Sequence, residues 1–306
     1  MQAYTLLLTV PFLALSAAAT CGAGVPPQTT FATPEAAAHA LLDALASDDY
    51  PSFLSVAGRQ MAGFWGREVS EEPDTLERVQ FLETARRSGM RTDRESAVRS
   101  VLYVGHTQQP FPAPLVKTDW GWRFDDEAGA RELVLRRWRR NETAAVEMCR
   151  RFREAEFEYR AISKEGPPEF AERIRSTPGQ RDGLFWESAD GDESPLGPPF
   201  AAAAFGERRA NDGTRPLFGY FFKILTSQGP DAAGGALDYR TNGRLRKGFA
   251  LVAWPAEYGV DGVQTFVMNH FGDVYEQDLG EATGEIAGQM LAFNPDRKWS
   301  RHDARD

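Results

Sequence analysis

The sequence predicts an α+β protein: N-terminal helices with a curled antiparallel sheet, a helical linker, and a C-terminal antiparallel β-meander closed by a helix. Three observations carry this expectation. From Thr33 to Ser88 apolar residues recur at helical spacing. From Ala97 to Phe124, and again from Gly219 to Glu276, the chain turns to β-rich runs divided by Gly, Pro and Asn-Gly turns. Between these, Asp126 to Ile162 returns to a helical pattern dense in charge.

The first stretch, Thr5 to Ala19 (TLLLTVPFLALSAAA), is apolar, short for a membrane span, and ends in small residues. It reads as a secretory signal cleaved after Ala19, although Met1 to Tyr4 carries no Lys or Arg. Residues 20–32 then form a tether. Cys21 stands where a lipoprotein carries its lipidated cysteine, but Thr20 replaces the small residue usual before it. Lipidation, a disulfide to Cys149 and a free thiol all remain open for Cys21. Cys149 lies in a helical pattern and reads as a buried, inert thiol.

The elements follow in order. Thr33 can cap a helix, Pro34 suits its first position, and Glu35 complements its positive end. Leu41, Leu42 and Leu45 form its apolar stripe, and Asp48-Asp49 stops it. A second short helix spans Tyr50 to Val56, and a third Asp74 to Ser88 with Leu76, Val79 and Leu82 on one face. Strands follow at Ala97 to Val104 and Leu115 to Lys117. After a turn at Thr118-Asp119 comes a half-buried strand in which Trp120, Trp122 and Phe124 alternate inward. These make a cone-like domain over 33–140.

A linker over 141–199 comes next. It starts in the Asp126–Ile162 helical run, with a break near Asn141, and ends in a loop punctuated by Pro and Gly, with a short helix at Glu169 to Arg175. The domain boundary falls in that loop. The C-terminal domain, 200–300, holds strands at Gly219 to Thr226, Phe249 to Trp254, Val263 to Asn269 and Asp273 to Glu276. Ser227 to Gly235 is a flexible-looking loop, and Asn242-Gly243 a tight turn. A helix from Glu281 to Phe293 buries Ile286, Met290 and Phe293. The tail, 301–306, is loose.

Composition excludes some classes. With 306 residues, 42% hydrophobic and 26% charged, the chain can build real cores. A net charge of −9 argues against non-specific nucleic-acid binding. The four histidines lack metal-ligand spacing, and Asp190 to Ser194 lacks the glycine and closing Glu of a calcium loop. There is no nucleophile elbow and no phosphate-cradling glycine loop. Asp125-Asp126 reads as a helix cap rather than an acid–base pair. No catalytic residue, metal or cofactor is implied.

Two patterns remain. The arginines at 136, 137, 139, 140, 150, 151 and 153 suit an anion or acidic-lipid site. Balance by Glu132, Glu142, Glu147, Glu154, Glu156 and Glu158 at helical spacing favours instead a solvated helix face. The second pattern is aromatic: Trp186, Tyr220, Tyr239, Trp254, Tyr258 and Tyr275 each lie near a Gly or Pro. They suit a stacking surface, for which Trp186, Tyr220, Tyr239, Trp254 and Tyr258 are the candidate binding residues. They equally suit the core of a small β-domain. The Trp254–Gly262 loop is the most suggestive part.

The runs PGQRDGLFW, SPLGP, GYFFKILTSQG, GGALDY, GFALVAWPAEYG, GVQTFVMNHFGDVYEQDLG and FNPDRKW resemble the bacterial domain-of-unknown-function family 2950. So do VGHTQQPFPAPLV, WRFDDEAGARE and RRWRRNE, and the resemblance spans roughly Phe31 to Trp299. Trp138 departs from the smaller apolar residue expected there. The resemblance implies an exported bacterial envelope protein and no established activity. TPEAAAHALLDALASDDY and the WGWRFD strand loosely resemble the cone-shaped nuclear-transport-factor-two-like (SnoaL-like) superfamily. The C-terminal meander is similar to the sheet of bacterial pseudopilins, but the apolar run lies a whole domain away, so the likeness reads as a shared β-module.

The leading expectation is therefore a periplasmic or envelope protein without catalysis, binding an envelope protein, peptide or glycan through its aromatic C-terminal surface. It would meet the membrane only through a lipid on Cys21. A hydrolase or isomerase with a pocket in the N-terminal cone is the alternative, and a self-associating structural protein the third.

Overall fold

The computed structural model describes residues 27–65, 73–106, 110–162, 166–187, 193–202 and 215–302. The signal segment, Cys21, residues 190–192 of the acidic loop, 203–209 and the end of the tail lie outside the described residues. The chain forms two compact units, 1–130 and 131–306. No helix among the described residues is long and apolar enough to cross a membrane.

In the first unit, α1 (Pro34–Ala46) begins at Thr33, whose hydroxyl accepts from the Ala36 amide at 3.2 Å. Asp49 caps α2 (Tyr50–Ala57) in the same way through the Ser52 amide. A 3₁₀ segment, Arg59–Trp65, and α3 (Pro73–Ser88) follow. Strands β1 (Met90–Ser96), β2 (Arg99–Val104), β3 (Leu115–Thr118) and β4 (Gly121–Phe124) pair antiparallel in the order β1-β2-β3-β4. Phe53, Phe64, Phe111 and Phe124 are buried in one aromatic core, with Phe81 of α3 edge-on to Phe64 at 5.8 Å.

Three expectations for this unit are corrected. Trp120 is 85% exposed, because the Thr118 hydroxyl accepts from its amide and donates to Gly121 O, which makes Trp120 a turn residue. Only Trp122 and Phe124 face inward. On α3, Val79 is exposed, and Phe81 and Ala85 form the packed face. The strand β1 gives no sequence signal, since MRTDRES is polar and lies largely exposed at the sheet edge.

Helix α4 (Asp126–Ile162) is continuous, with its residues up to Ala130 in the first unit. There is no break at Asn141, whose buried amide instead donates to Asp261 O at 2.9 Å. After α5 (Pro198–Ala202), the second unit holds β5 (Tyr220–Leu225), β6 (Ser227–Gln228), β7 (Leu237–Asp238), β8 (Arg240–Thr241) and β9 (Arg244–Leu245). It continues through β10 (Ala250–Pro255), β11 (Gln264–Asn269), β12 (Val274–Asp278), α6 (Thr283–Gln289), β13 (Ala292–Phe293) and β14 (Ser300–Arg301). The main sheet runs β14-β12-β11-β10-β5, all antiparallel, and contains the expected meander.

Every residue of β10 is buried, so both sheet faces are covered. On one face Phe152 of α4 stacks on Phe200, which packs on Phe222 of β5. On the other, Lys223 donates to Gly288 O and Met290 O at the end of α6, at 2.7 and 2.8 Å. This two-sided burial explains why FALVAW is continuously apolar rather than alternating.

The residues read as a linker supply core to this unit: Phe170, Ile174, Leu184, Trp186 and Leu196 are buried. Glu169 to Arg175 is not helical. Its end pairs with the following segment, Phe185 N donating to Ile174 O and Ser176 N to Phe185 O, both at 2.8 Å. The Ser227–Gly235 loop is held rather than loose. Gln228 donates to Ala233 O and Gly235 O, while Asn294 exchanges two 2.8 Å bonds with Asp231. Ile286 is exposed, and Thr283 and Ala287 are the buried residues of a shorter α6. Arg301 sits in β14, paired with Asp273 at 2.7 Å, so the sheet extends into what read as tail.

This burial map predicts opposite outcomes at two large apolar residues. Leu251→Ala, in the fully buried β10, should cost about 2–5 kcal/mol in urea denaturation. Trp120→Ala should change stability by less than about 0.5 kcal/mol.

Candidate functional site

The five aromatic candidates do not form a surface. Tyr220 and Tyr239 are 0% exposed, Trp254 2% and Trp186 8%. Alternation separates two of them further: Tyr220 lies opposite Pro255 and Trp254 opposite Phe221, so the two side chains leave opposite sheet faces. Each phenol is spent inside the unit. Tyr220 donates to Gln264 O and Tyr239 to Gln228 Oε1, both at 2.9 Å. Burial pushes Tyr239 up to about 12, and raises Tyr220 further with help from the Glu142 and Asp261 charges. Only Tyr258 is partly open, with its hydroxyl on Asp278 at 3.2 Å. That bond raises its pKa.

The Trp254–Gly262 loop is a clamped connector. Trp138 Nε1 donates to Gly259 O at 3.2 Å and Asn141 to Asp261 O. One oxygen of Glu142 accepts from Val263 N at 3.0 Å and from Gln264 N at 3.2 Å. Asp261 accepts from the Glu257 amide, and burial raises its pKa against that bond and the Arg137 charge. Gly262 packs against the Tyr220 hydroxyl with no room for a Cβ. The unexpected Trp138 is thus one of three helix residues that hold this loop.

Of the nucleophiles and acids, Cys149 is a fully buried free thiol pushed up to about 12 by burial. Glu156 is 0% exposed, with Oε2 accepting from Ala171 N at 2.8 Å and Oε1 unpartnered. Burial raises its pKa well above the usual carboxylate range. In the first unit a depression of about 190 Å³ is lined by Glu35, His39, Arg91 and Thr92 over Ala38 and Leu42. Glu35 accepts from the Thr92 hydroxyl at 2.6 Å, a bond that lowers its pKa, and is not joined to His39. Among the described residues no group of three His, Cys, Asp or Glu could hold a metal.

The arrangement that does face solvent takes Arg153 from the arginine pattern and adds residues the sequence does not single out. Arg153 donates through Nε to His270 O at 3.0 Å and lies over the Phe157 ring at 5.0 Å. Two turns after Arg153, Arg160 lies over Phe170 at 4.6 Å. Among the described residues no carboxylate comes within ion-pair reach of either guanidinium. The sequence's charge balance fails here for particular reasons. Glu156, three residues after Arg153, is turned into the core onto the Ala171 amide, and Glu154 and Glu158 pair with Arg151.

Across from Arg153, the β11–β12 turn carries Phe271, 70% exposed, with its ring 4.1 Å from that of His270. Asn269 Oδ1 accepts from the amides of Phe271 and Asp273 at 3.0 and 3.1 Å, which fixes the turn. Gly272 adopts φ +93°, and a Cβ there would lie 3.3 Å from Arg153 Nε. Burial and the Arg153 charge lower the His270 pKa, so the ring is neutral near pH 7. Rings from Phe157 through Phe249 and His270 to Phe271 form one continuous chain. A rigid cationic and aromatic strip of this kind can bind anions and cover apolar groups; it carries no proton-transfer pair.

Glu142→Ala should leave two backbone amides short of an acceptor and cost about 2 kcal/mol in urea unfolding, with Glu142→Gln recovering part of it. Glu156, with its native pKa raised, stabilises the fold fully below its unfolded value near 4.5 and loses that contribution as pH rises through the native value. As the pH rises above about 5, Glu156→Gln should therefore lose less stability than wild type, read as the shift in urea midpoint.

No curated protein and no solved structure matches the chain significantly. The model of one family, Protein of unknown function (DUF2950), matches residues 28–302, nearly the whole chain, and the chain belongs to that family.

Proposed function

We propose that the protein is an exported, non-catalytic binding protein of the bacterial cell envelope. Its recognition surface is the outward face of α4 at Arg153, Phe157 and Arg160, with Phe271 beside it. One observation carries this reading: two guanidinium groups laid on aromatic rings, with no carboxylate in reach among the described residues, next to a 70% exposed Phe271. Stacking and the His270 bond order Arg153 before any ligand arrives, which lowers the entropy cost of binding. A single exposed phenylalanine is ordinary on a protein surface; its pairing with preorganised, unneutralised cations is what favours recognition. Export rests on the Thr5–Ala19 run, and Cys21 is the residue a lipid anchor would use. The partner is an anionic envelope component. The aromatic surface expected at Trp186, Tyr220, Tyr239 and Trp254 gives way to this strip because those four rings are core.

The test places a photo-crosslinking residue at Phe271 of the full chain in bacterial cells, with the same probe at Trp120, an even more exposed aromatic, as control. Envelope adducts should form at Phe271 and fall at least about fivefold when Arg153 and Arg160 are both changed to Gln. Fractionation should place the mature chain outside the cytoplasm. Adducts equal at both positions, or indifferent to the arginines, would overturn the strip; full-length protein retained in the cytoplasm would overturn export.

A further inference from the structure

Resting on the reading of this strip as a recognition surface, we propose that its ligand is an acidic amphipathic helix of a partner protein, one that presents two carboxylates seven residues apart with an apolar residue between them. The argument is spacing. Arg153, Phe157 and Arg160 stand at i, i+4 and i+7 on one helix, so the two arginines leave the backbone about 10 Å apart along the axis with Phe157 between them, and each head then lies on a ring of the same face. A second helix lying along α4 has the same rise per residue. Carboxylates at its own i and i+7 therefore meet both guanidinium groups, and an apolar side chain at i+3 or i+4 meets Phe157. An extended strand matches poorly: carboxylates about 10 Å apart would be three residues apart and would leave opposite sides of the strand.

The surroundings favour this occupant. Phe157 is 41% exposed and Phe271 70%, so the rings offer one apolar stripe and a wall beside it. This is how an amphipathic helix docks in a groove. Neighbouring acids would not repel it in full. Glu154 and Glu158 are paired with Arg151, Asp273 with Arg301, and Glu156 is turned into the core onto the Ala171 amide. Arg150, exposed one turn before Arg153, adds positive charge on the same side. Both arginine heads are drawn down onto rings instead of reaching outward, so they present a fixed planar edge to a carboxylate. An anionic bilayer would be served better by extended basic chains.

The test measures binding of the purified mature protein to defined probes by fluorescence anisotropy and calorimetry. The first probe is a helical peptide with Glu at i and i+7 and Leu at i+3 and i+4. The second has the same composition with the glutamates moved to opposite faces. The third and fourth are a polyuronate oligosaccharide and phosphatidylglycerol vesicles. The first peptide should bind at least about tenfold tighter than the second, and Arg160→Gln and Phe271→Ala should each weaken it about tenfold. Phe271→Ala removes only an exposed side chain, so its effect is separable from misfolding, which circular dichroism and the urea midpoint monitor for both variants. Equal affinity for the two peptides overturns the helix and spacing inference while leaving the strip intact. Arginine-dependent binding of the polyuronate or vesicles without the peptide also overturns it and assigns the strip another anion. Failure of every probe, together with loss of crosslinking at Phe271, removes both the inference and the reading it rests on.

Discussion

Burial of β10 on both faces is the constraint on which the second unit depends. A strand with no solvent side must have one cover for each face. Phe152 of α4 and Phe200 of α5 supply one, and the end of α6 supplies the other, tied down by Lys223. The covers must also be held in register. Trp138, Asn141 and Glu142 do this from α4 by taking up the polar groups of the loop that leaves β10. A loop with so many backbone groups beside a dry core needs such partners, since each orphaned amide would cost about as much as a core methyl group.

Once α4 is committed to the sheet along one side, its outward side is determined too. Cys149, Phe152 and Glu156 go in; Arg153, Phe157 and Arg160 are left at the rim and outside. Inserting Glu156 into the core removes a carboxylate that would otherwise neutralise the rim. The unpaired arginines therefore follow from how the core was closed. The turn at Asn269–Asp273 completes the strip, because Arg153 is the residue that fastens His270 from the helix side.

Much of the fold was legible from local chemistry. Thr33 and Asn242-Gly243 act through interactions within a few residues, so that cap and the hairpin stand where the sequence puts them. The meander was legible because apolar runs and glycine turns are also local. The polar β1 was not, because its pairing with β2 is its only reason to be a strand. Nor was the role of Glu169 to Phe185, where tertiary backbone pairing replaces a weak helical preference.

The sequence alone determined the α+β class, the helical character of Asp126–Ile162, the meander and the family. Each of these is written in periodicity, in capping residues or in long shared motifs. Whether a given aromatic or charged side chain is core or surface was decided only by tertiary structure. Trp254 and Trp120 carry the same side chain beside a similar turn. One is 2% exposed and the other 85%, because one strand is covered on both faces and the other residue sits past its strand's end. The same holds for charge: glutamates at helical spacing from arginines neutralise them only if neither is drawn away, and in α4 the closing of the core draws Glu156 away.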